Sequence, residues 1–366
     1  MGITSFAASL SHRGTYAMTQ EEPISITNPN ANMNIQNLLQ EYLKDNGTPG
    51  AAVALIDHGK IQFFYGGRMS LEEKAVTEDT IFEIGSITKV FTTLALMDMV
   101  NKGVMRLDDP IEKYLPGVKL PELDGKKITL RHLATHTSGI PCMPDNFAPK
   151  DPANPYQDYT VECLYNYLES CILTKAPGDS FEYSNVGMGL LGHILSEYSE
   201  KGYEELVQSL ITKPLNMPST SISLVDEARG NFASGHHLQQ AVNHWDLTPT
   251  FAGAGALRSN IKDMAHFLAV NMGSIASPLS DAMQKCHEKQ FEAAPDTAFG
   301  LGWVLSKSNE ANLIWHNGGT GGFRSYLGFN LKTQRGVVVL SNSTADWTDE
   351  FGLMILDPDY QRPVVD

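Results

Sequence analysis

Phe82-Glu83-Ile84-Gly85-Ser86-Ile87-Thr88-Lys89-Val90-Phe91 (FEIGSITKVF, residues 82–91) is where the character of the chain changes. Up to Gly85 the pattern is that of strands; after it a long apolar helix begins, in which Val90, Phe91, Leu94, Met97 and Val100 share a face and Lys102-Gly103 mark the end. Residues three apart at such a passage lie on one side of a helix, so the Ser86 hydroxyl and the Lys89 amine can meet. A serine alcohol is a weak nucleophile until a base takes its proton, and a lysine with a lowered pKa can be that base. By average residue usage one Ser-x-x-Lys arises by chance in about every chain of this length, so the motif needs company.

Reading outward, Ile35, Leu38, Leu39, Tyr42 and Leu43 fall at helical spacing, and Gly47-Thr48-Pro49-Gly50 stops that helix. Ala51–Ile56 and Ile61–Tyr65 read as strands joined by a turn at Asp57-His58-Gly59-Lys60. From residue 103 to about 290 the chain reads as helices and long loops broken by prolines. Strand character returns at Leu301–Leu305, Asn312–Trp315, Ser325–Asn330 and Gly336–Ser341, the last a β-branched run, before a final helix at Ala345–Leu356. The expectation is an α/β (α+β) fold: an antiparallel sheet flanked by helices and built from both chain ends. Residues 33–85 and 290–360 would form the sheet domain, 86–289 a mainly helical inserted domain, and the active site would lie between them. Residues 1–32, with TQEEPISITNPNAN at 19–32, are expected to be a flexible lead-in.

The 366 residues carry 42% hydrophobic and 19% charged residues, ordinary for a folded enzyme, and a formal net charge of −15 that disfavours nucleic acid as a partner. No apolar run is long enough to span a bilayer, the first twenty residues lack the apolar core of a secretory signal, and Phe6 stands where a myristoylation motif has Ser or Thr. Cys142, Cys163, Cys171 and Cys286 are irregularly spaced and read as mostly buried thiols, neither a disulfide framework nor a zinc site.

Two further motifs accompany Ser86. Tyr183-Ser184-Asn185 precedes a helical run; a phenol beside a lysine can be held partly as phenolate and act as base and then acid, while Asn185 offers an amide to a substrate. An ordinary helix-capping turn is the plain alternative. His316-Asn317-Gly318-Gly319-Thr320-Gly321-Gly322 follows a short strand, and its glycines let backbone N–H groups approach a ligand. No Gly-Lys-Ser/Thr follows to make it a phosphate loop; a simple glycine turn is the other alternative.

In this order the three motifs resemble the serine β-lactamase and penicillin-binding-protein superfamily, in particular the branch with class C β-lactamases, DD-peptidases and family VIII carboxylesterases. Pro49–Val53, Phe82–Ser86, Leu107–Pro110, Ile128–Gly139 and Gly255–Ser259 also look like that family, over residues 35 to 345. The resemblance implies Ser86 as acylated nucleophile, Lys89 as its partner, Tyr183 as proton relay and Asn185 as substrate contact. It also implies an oxyanion hole from the N–H groups of Ser86 and Gly319, with His316, Gly318 and Thr320 lining the substrate strand. Neither metal nor cofactor is implied, the partner being a small-molecule or peptide acyl substrate. The compartment would be periplasmic or secreted, a cytoplasmic one staying open.

His316 departs from the lysine usual in class C enzymes, and an imidazole is mostly neutral at pH 7 where lysine is a fixed cation. Arg324 is one candidate to replace that charge; an exposed strand-edge residue is the other reading. His132 and His136 are four apart but lack a third ligand, and His236-His237 reads as surface loop. The expected function is a β-lactamase-like serine hydrolase acting on an amide, β-lactam or ester carbonyl. A carboxylesterase or D-alanyl-D-alanine peptidase is the alternative, and a non-catalytic penicillin-binding sensor the remote one.

Overall fold

The computed structural model describes residues 34–70, 74–237, 239–307, 312–357 and 360. The expected lead-in at 1–32 lies outside these. Helix α1 (Ile35–Asp45) is capped by the Asn34 side chain, which accepts from the Asn37 N–H. It leads into the hairpin of β1 (Gly50–Asp57) and β2 (Lys60–Gly67). His58 and Gly59 both take positive φ (48° and 78°), the pairing a two-residue hairpin turn needs to match the twist of its strands.

β1 and β2 are joined by six strands from the C-terminal part: β7 (Phe291–Ala294), β8 (Thr297–Phe299), β9 (Val304–Lys307), β10 (Asn312–Gly319), β11 (Arg324–Asn330) and β12 (Arg335–Ser341). The eight form one antiparallel sheet in the order β2-β1-β12-β11-β10-β9-β8-β7. The first and last strands of the chain's sheet therefore lie side by side, β1 on β12, as the split pattern predicts.

Both faces of this sheet are covered, and the period of two divides its side chains between them. Ala51, Val53, Leu55, Val337 and Val339 pack on α1 and on the C-terminal helix Thr348–Leu356, with Tyr42 edge-on to Phe351 at 5.3 Å. Ala52, Ala54, Ile56, Val338 and Leu340 face the opposite way, into a larger apolar cluster shared with the intervening helices. At its centre runs α2 (Thr88–Asn101), buried on nearly every side, as an apolar helix without a polar face must be.

The structure differs from expectation in several short elements. The strand expected at Leu301–Leu305 is β9, Val304–Lys307, and β10 runs on through His316 to Gly319 rather than ending before the glycines. Strand β3 (Ile81–Glu83), at the expected strand-to-helix passage, pairs with β6 (Arg258–Asn260), and β4 (Gly235–His237) pairs with β5 (Gln240–Val242); β4, β5 and β6 lie inside the stretch read as helices and loops. His236 is correspondingly buried, its Nδ1 3.1 Å from the Asn342 carbonyl, whereas His237 is exposed. Of the cysteines only Cys286 is buried; Cys142, Cys163 and Cys171 are half-buried, and all four are free.

Phe91 of α2 stacks on Phe267 with ring centroids 4.3 Å apart and has no exposed surface. Phe91→Ala is therefore expected to lower unfolding free energy by about 3–5 kcal/mol in urea titration.

Candidate active site

Ser86 lies in the single 3₁₀ turn Gly85–Ile87 between β3 and α2, and Lys89 in the first turn of α2. The expected helical spacing is thus a 3₁₀ turn running into an α-helix, and it still brings the groups together: Lys89 Nζ donates to Ser86 Oγ at 2.9 Å. The lysine side chain has no exposed surface and also donates to Asn185 Oδ1 at 2.8 Å and to the Ala254 carbonyl at 2.7 Å. Burial pulls Lys89 down from 10.5 to about 7.

Tyr183 donates its phenol to Ser86 Oγ at 2.8 Å. It precedes α3 (Asn185–Ser199), whose N-cap is Ser184 with Oγ accepting from Gly187 N at 2.9 Å. Because Ser184 caps the helix, the flanking Tyr183 and Asn185 side chains are released to point at Ser86 and Lys89. Burial pushes Tyr183 well above the usual phenol range, against the pull of its hydrogen bond to Ser86. The resting phenol is therefore protonated, not the partial phenolate expected from the lysine's proximity; Lys89 Nζ instead lies over its ring, 4.8 Å from the centroid.

The third wall is β10. The turn after it is closed by Thr320 N donating to the Phe323 carbonyl. Antiparallel ladders alternate, so Gly319, one residue before that pair, points its N–H away from β11. Pairing with β9 stops at Trp315, so the N–H faces the segment that carries Ser86. Two glycines permit the approach. Gly85 has φ +50°, and a Cβ there would lie 2.7 Å from Gly319 N; a Cβ on Gly318 would lie 2.1 Å from the Ile84 carbonyl and 3.0 Å from Ser86 N.

His316 is 2% exposed and its Nδ1 donates to the Asn317 carbonyl at 2.6 Å. Burial, helped by the Lys89 charge, lowers it to about 3, so it is neutral. Arg324 does not share the sheet face of His316. It pairs with Gly319 across the ladder and so lies on the terminal-helix face of the sheet, its guanidinium against Gly319 and its Nε 4.0 Å from Asp346 Oδ1.

His136 was expected to lie in a segment that packs near the site, with a metal reading set beside it and no role of its own. The helix Leu130–Ala134 ends before it and His136 itself has φ +57°, so it shares no helix face with His132, which completes a capping box with Thr129. It braces the tyrosine segment: its ring lies 4.5 Å from that of Tyr183, its Nδ1 accepts from Ser184 N at 3.1 Å, and its carbonyl accepts from Glu182 N. Burial, Lys89 and His316 hold it well below the usual imidazole range. Two more contributors carry no side-chain signal of function: the Ala254 carbonyl, and Cys142, whose carbonyl accepts from Asn185 N at 3.0 Å. Among the described residues no group of three or more His, Cys, Asp or Glu side chains could hold a metal ion, and no helix is long and apolar enough to cross a membrane.

A buried helical lysine beside a serine, a tyrosine before a capped helix and a glycine strand edge thus meet at one hydroxyl. Over residues 35–354 the chain matches the beta-lactamase family, and it belongs to that family. Among curated relatives, a beta-lactamase of Yersinia enterocolitica is 28% identical over 349 residues, covering 84% of this chain and 86% of that one. A beta-lactamase of Escherichia coli (strain K12) is 28% identical over 345 residues, covering 84% and 88%. Protein flp of Staphylococcus aureus (strain N315) is 26% identical over 329 residues, which are 86% of this chain but 63% of that protein's length. A solved class C beta-lactamase superposes with a TM-score of 0.78 at 22% identity, covering 90% of this chain and 96% of that one, which shows the shared fold.

The depressed Lys89 pKa has a stability consequence. A lysine at about 7 folded and 10.5 unfolded costs the native state about 5 kcal/mol when protonated, a cost fully present below pH 7 and lost as pH rises toward 10.5. Lys89→Met leaves no unpaired charge behind and is expected to be at least as stable as wild type at pH 7. In urea unfolding the wild type should then gain about 2–3 kcal/mol on the variant between pH 7 and pH 9.

Proposed function

We propose that the chain is a serine hydrolase that works through an acyl-enzyme on Ser86. The observation that carries this reading is the Ser86 Oγ itself, which accepts from Lys89 at 2.9 Å and from Tyr183 at 2.8 Å. The two partners are pushed in opposite directions, Lys89 down to about 7 and Tyr183 up, so the neutral amine is the base and the phenol the acid. As Ser86 Oγ bonds to the substrate carbonyl carbon, its proton passes to Lys89 Nζ. The carbonyl oxygen, now negative, sits between the N–H groups of Ser86 and Gly319. Collapse expels the leaving group with a proton from Tyr183, and the proton held on Lys89 returns to the phenolate through the water that enters as the leaving group departs. Water repeats the sequence on the ester, regenerating Ser86. Asn185, held on Lys89, orients the acyl chain, and His316, Gly318 and Thr320 line the strand along which the substrate lies.

Within this chemistry an ester or amide without a carboxylate beside the reacting carbonyl is favoured over a β-lactam or a C-terminal D-alanyl peptide. The observation is the neutral, buried His316, with Arg324 on the other face of the sheet. The relatives named beta-lactamase share the family, and their name alone does not carry their substrate to this chain.

Intact-protein mass spectrometry after addition of a penicillin or a p-nitrophenyl ester should show an acyl adduct, or turnover, in wild type and neither in Ser86→Ala; an adduct that survives the substitution would sink the assignment. The acylation rate should rise tenfold per pH unit up to about pH 7 and then level, because only neutral Lys89 can take the proton. Between matched esters, p-nitrophenyl butyrate should have a kcat/KM about tenfold or more above p-nitrophenyl hemisuccinate, the order reversing if a hidden cation serves the site.

A further inference from the structure

Glu83, three residues before Ser86, is buried at 4% exposure, and directly across the ladder stands Arg258, also buried, its Nη2 3.8 Å from Glu83 Oε1. Burial raises Glu83 to about 6, with Thr320, Arg258 and the Trp245 N–H pulling it back, so it is a carboxylate at pH 7. Arg258 reaches outward from this pair. Nη1 donates to the Ile222 carbonyl at 2.7 Å, Nη2 to Asp246 Oδ1 at 3.2 Å and to the Trp245 carbonyl at 3.3 Å, and the guanidinium lies 5.1 Å from the Phe232 ring centroid. Trp245 N in turn donates to Glu83 Oε1 at 3.0 Å. Asp246 then joins a second loop: its Oδ2 accepts from Asn154 Nδ2 at 3.0 Å and its N–H donates to Asn154 Oδ1 at 2.8 Å.

The two loops so joined bring an aromatic pair together beside the site. Trp245 and Tyr156 pack with centroids 5.3 Å apart. The Trp245 indole occupies the space a side chain on Gly321 would take, with Nε1 2.5 Å from that Cβ position, and the charge of an ionised Tyr156 would be felt at Tyr183. The aromatic pair thus runs from the glycine turn beyond Gly319 to the tyrosine side of Ser86.

We propose that Glu83, Arg258 and Asp246 are positioning residues that hold the Trp245–Tyr156 pair against the cleft, tying both cleft loops to the strand that presents Ser86. Trp245, half-buried and backed by the buried Tyr156, is the apolar surface on which the substrate's acyl or alcohol chain rests. This rests on the proposed acyl-enzyme reading for its kinetic consequences, though not for its structural ones. The network governs substrate binding rather than proton transfer, since none of its members touches Ser86, Lys89 or Tyr183.

The test uses the full chain with p-nitrophenyl butyrate. Asp246→Asn and Trp245→Ala should each raise KM about tenfold with kcat within about threefold, and the double variant should be no worse than either alone. Arg258→Lys should recover much of the KM lost in Arg258→Met, because a cation in that place restores the contacts to Asp246 and Glu83. Additive effects, or a fall in kcat at unchanged KM, would overturn the proposal. Hydrogen exchange decides it without activity: Asp246→Asn, an exposed position, should speed exchange in both 243–248 and 150–158, and acceleration in 243–248 alone would refute the tie. Failure of a small fluorophosphonate to label wild-type Ser86 would remove the acyl-enzyme reading while leaving the exchange result to judge the network.

Discussion

A protonated amine without exposed surface is among the more expensive things a fold can contain, and Lys89 is one. Its three hydrogen bonds go to three separate parts of the chain: the turn that holds Ser86, the first residue of α3, and the carbonyl of Ala254 in the helix Pro249–Gly255. Each charge-assisted bond returns about 1.5–3 kcal/mol, so the cost is reduced, without being cancelled, only if all three acceptors arrive together. The apolar surroundings of α2 fix the helix, and the helix fixes the amine. The same desolvation that costs stability brings the pKa to where the amine can accept a proton at neutral pH.

The sheet supplies what the helices cannot. Pairing β1 with β12 brings the two chain ends together, and the neighbouring β11 and β10 carry the glycine strand to the start of α2. Ladder alternation, not any side chain, aims the Gly319 N–H outward. Around this edge three basic groups, Lys89, His136 and His316, lie close enough that each lysine proton depresses both imidazoles. Burial is the larger cause for all three groups, and the Lys89 charge adds to it at the two imidazoles, so both rings are neutral at pH 7.

Much of this was legible in the sequence where a period or a turn residue carried the signal. The β1–β2 hairpin showed as two apolar runs around His58-Gly59, β12 as the GVVVLS run, and α2 as a long apolar segment after Gly85. Strands of three residues such as β4, β5 and β6 have too few positions for any period to show, and they exist because their partners are brought to them by the rest of the fold. His236 looked like surface for the same reason. The signature residues Ser86, Lys89, Tyr183 and Asn185 meet in space, while Arg324 does not join them; its side is set by its register against Gly319, and register is not a property of local composition. His136 was unreadable because its contact with Tyr183 depends on a left-handed residue after a short helix. The Ala254 carbonyl left no trace at all, every residue having one.

The state of Tyr183 shows why motif and chemistry have to be separated. Adjacency to a lysine in the sequence pattern argues for a phenolate, since a nearby cation favours the anion. In the folded chain the lysine directs its three donors to Ser86, Asn185 and Ala254 and lies over the tyrosine ring, so the phenol receives the full penalty of burial with little compensation at its oxygen. The amine suffers the same burial with the opposite sign, because desolvation always disfavours whichever form is charged: it lowers a base and raises an acid. One cause therefore separates the two partners of Ser86 Oγ into a proton acceptor and a proton donor. On the proposed chemistry that separation is what lets a single hydroxyl be deprotonated from one side while a leaving group is protonated from the other, and it needs no histidine in either role.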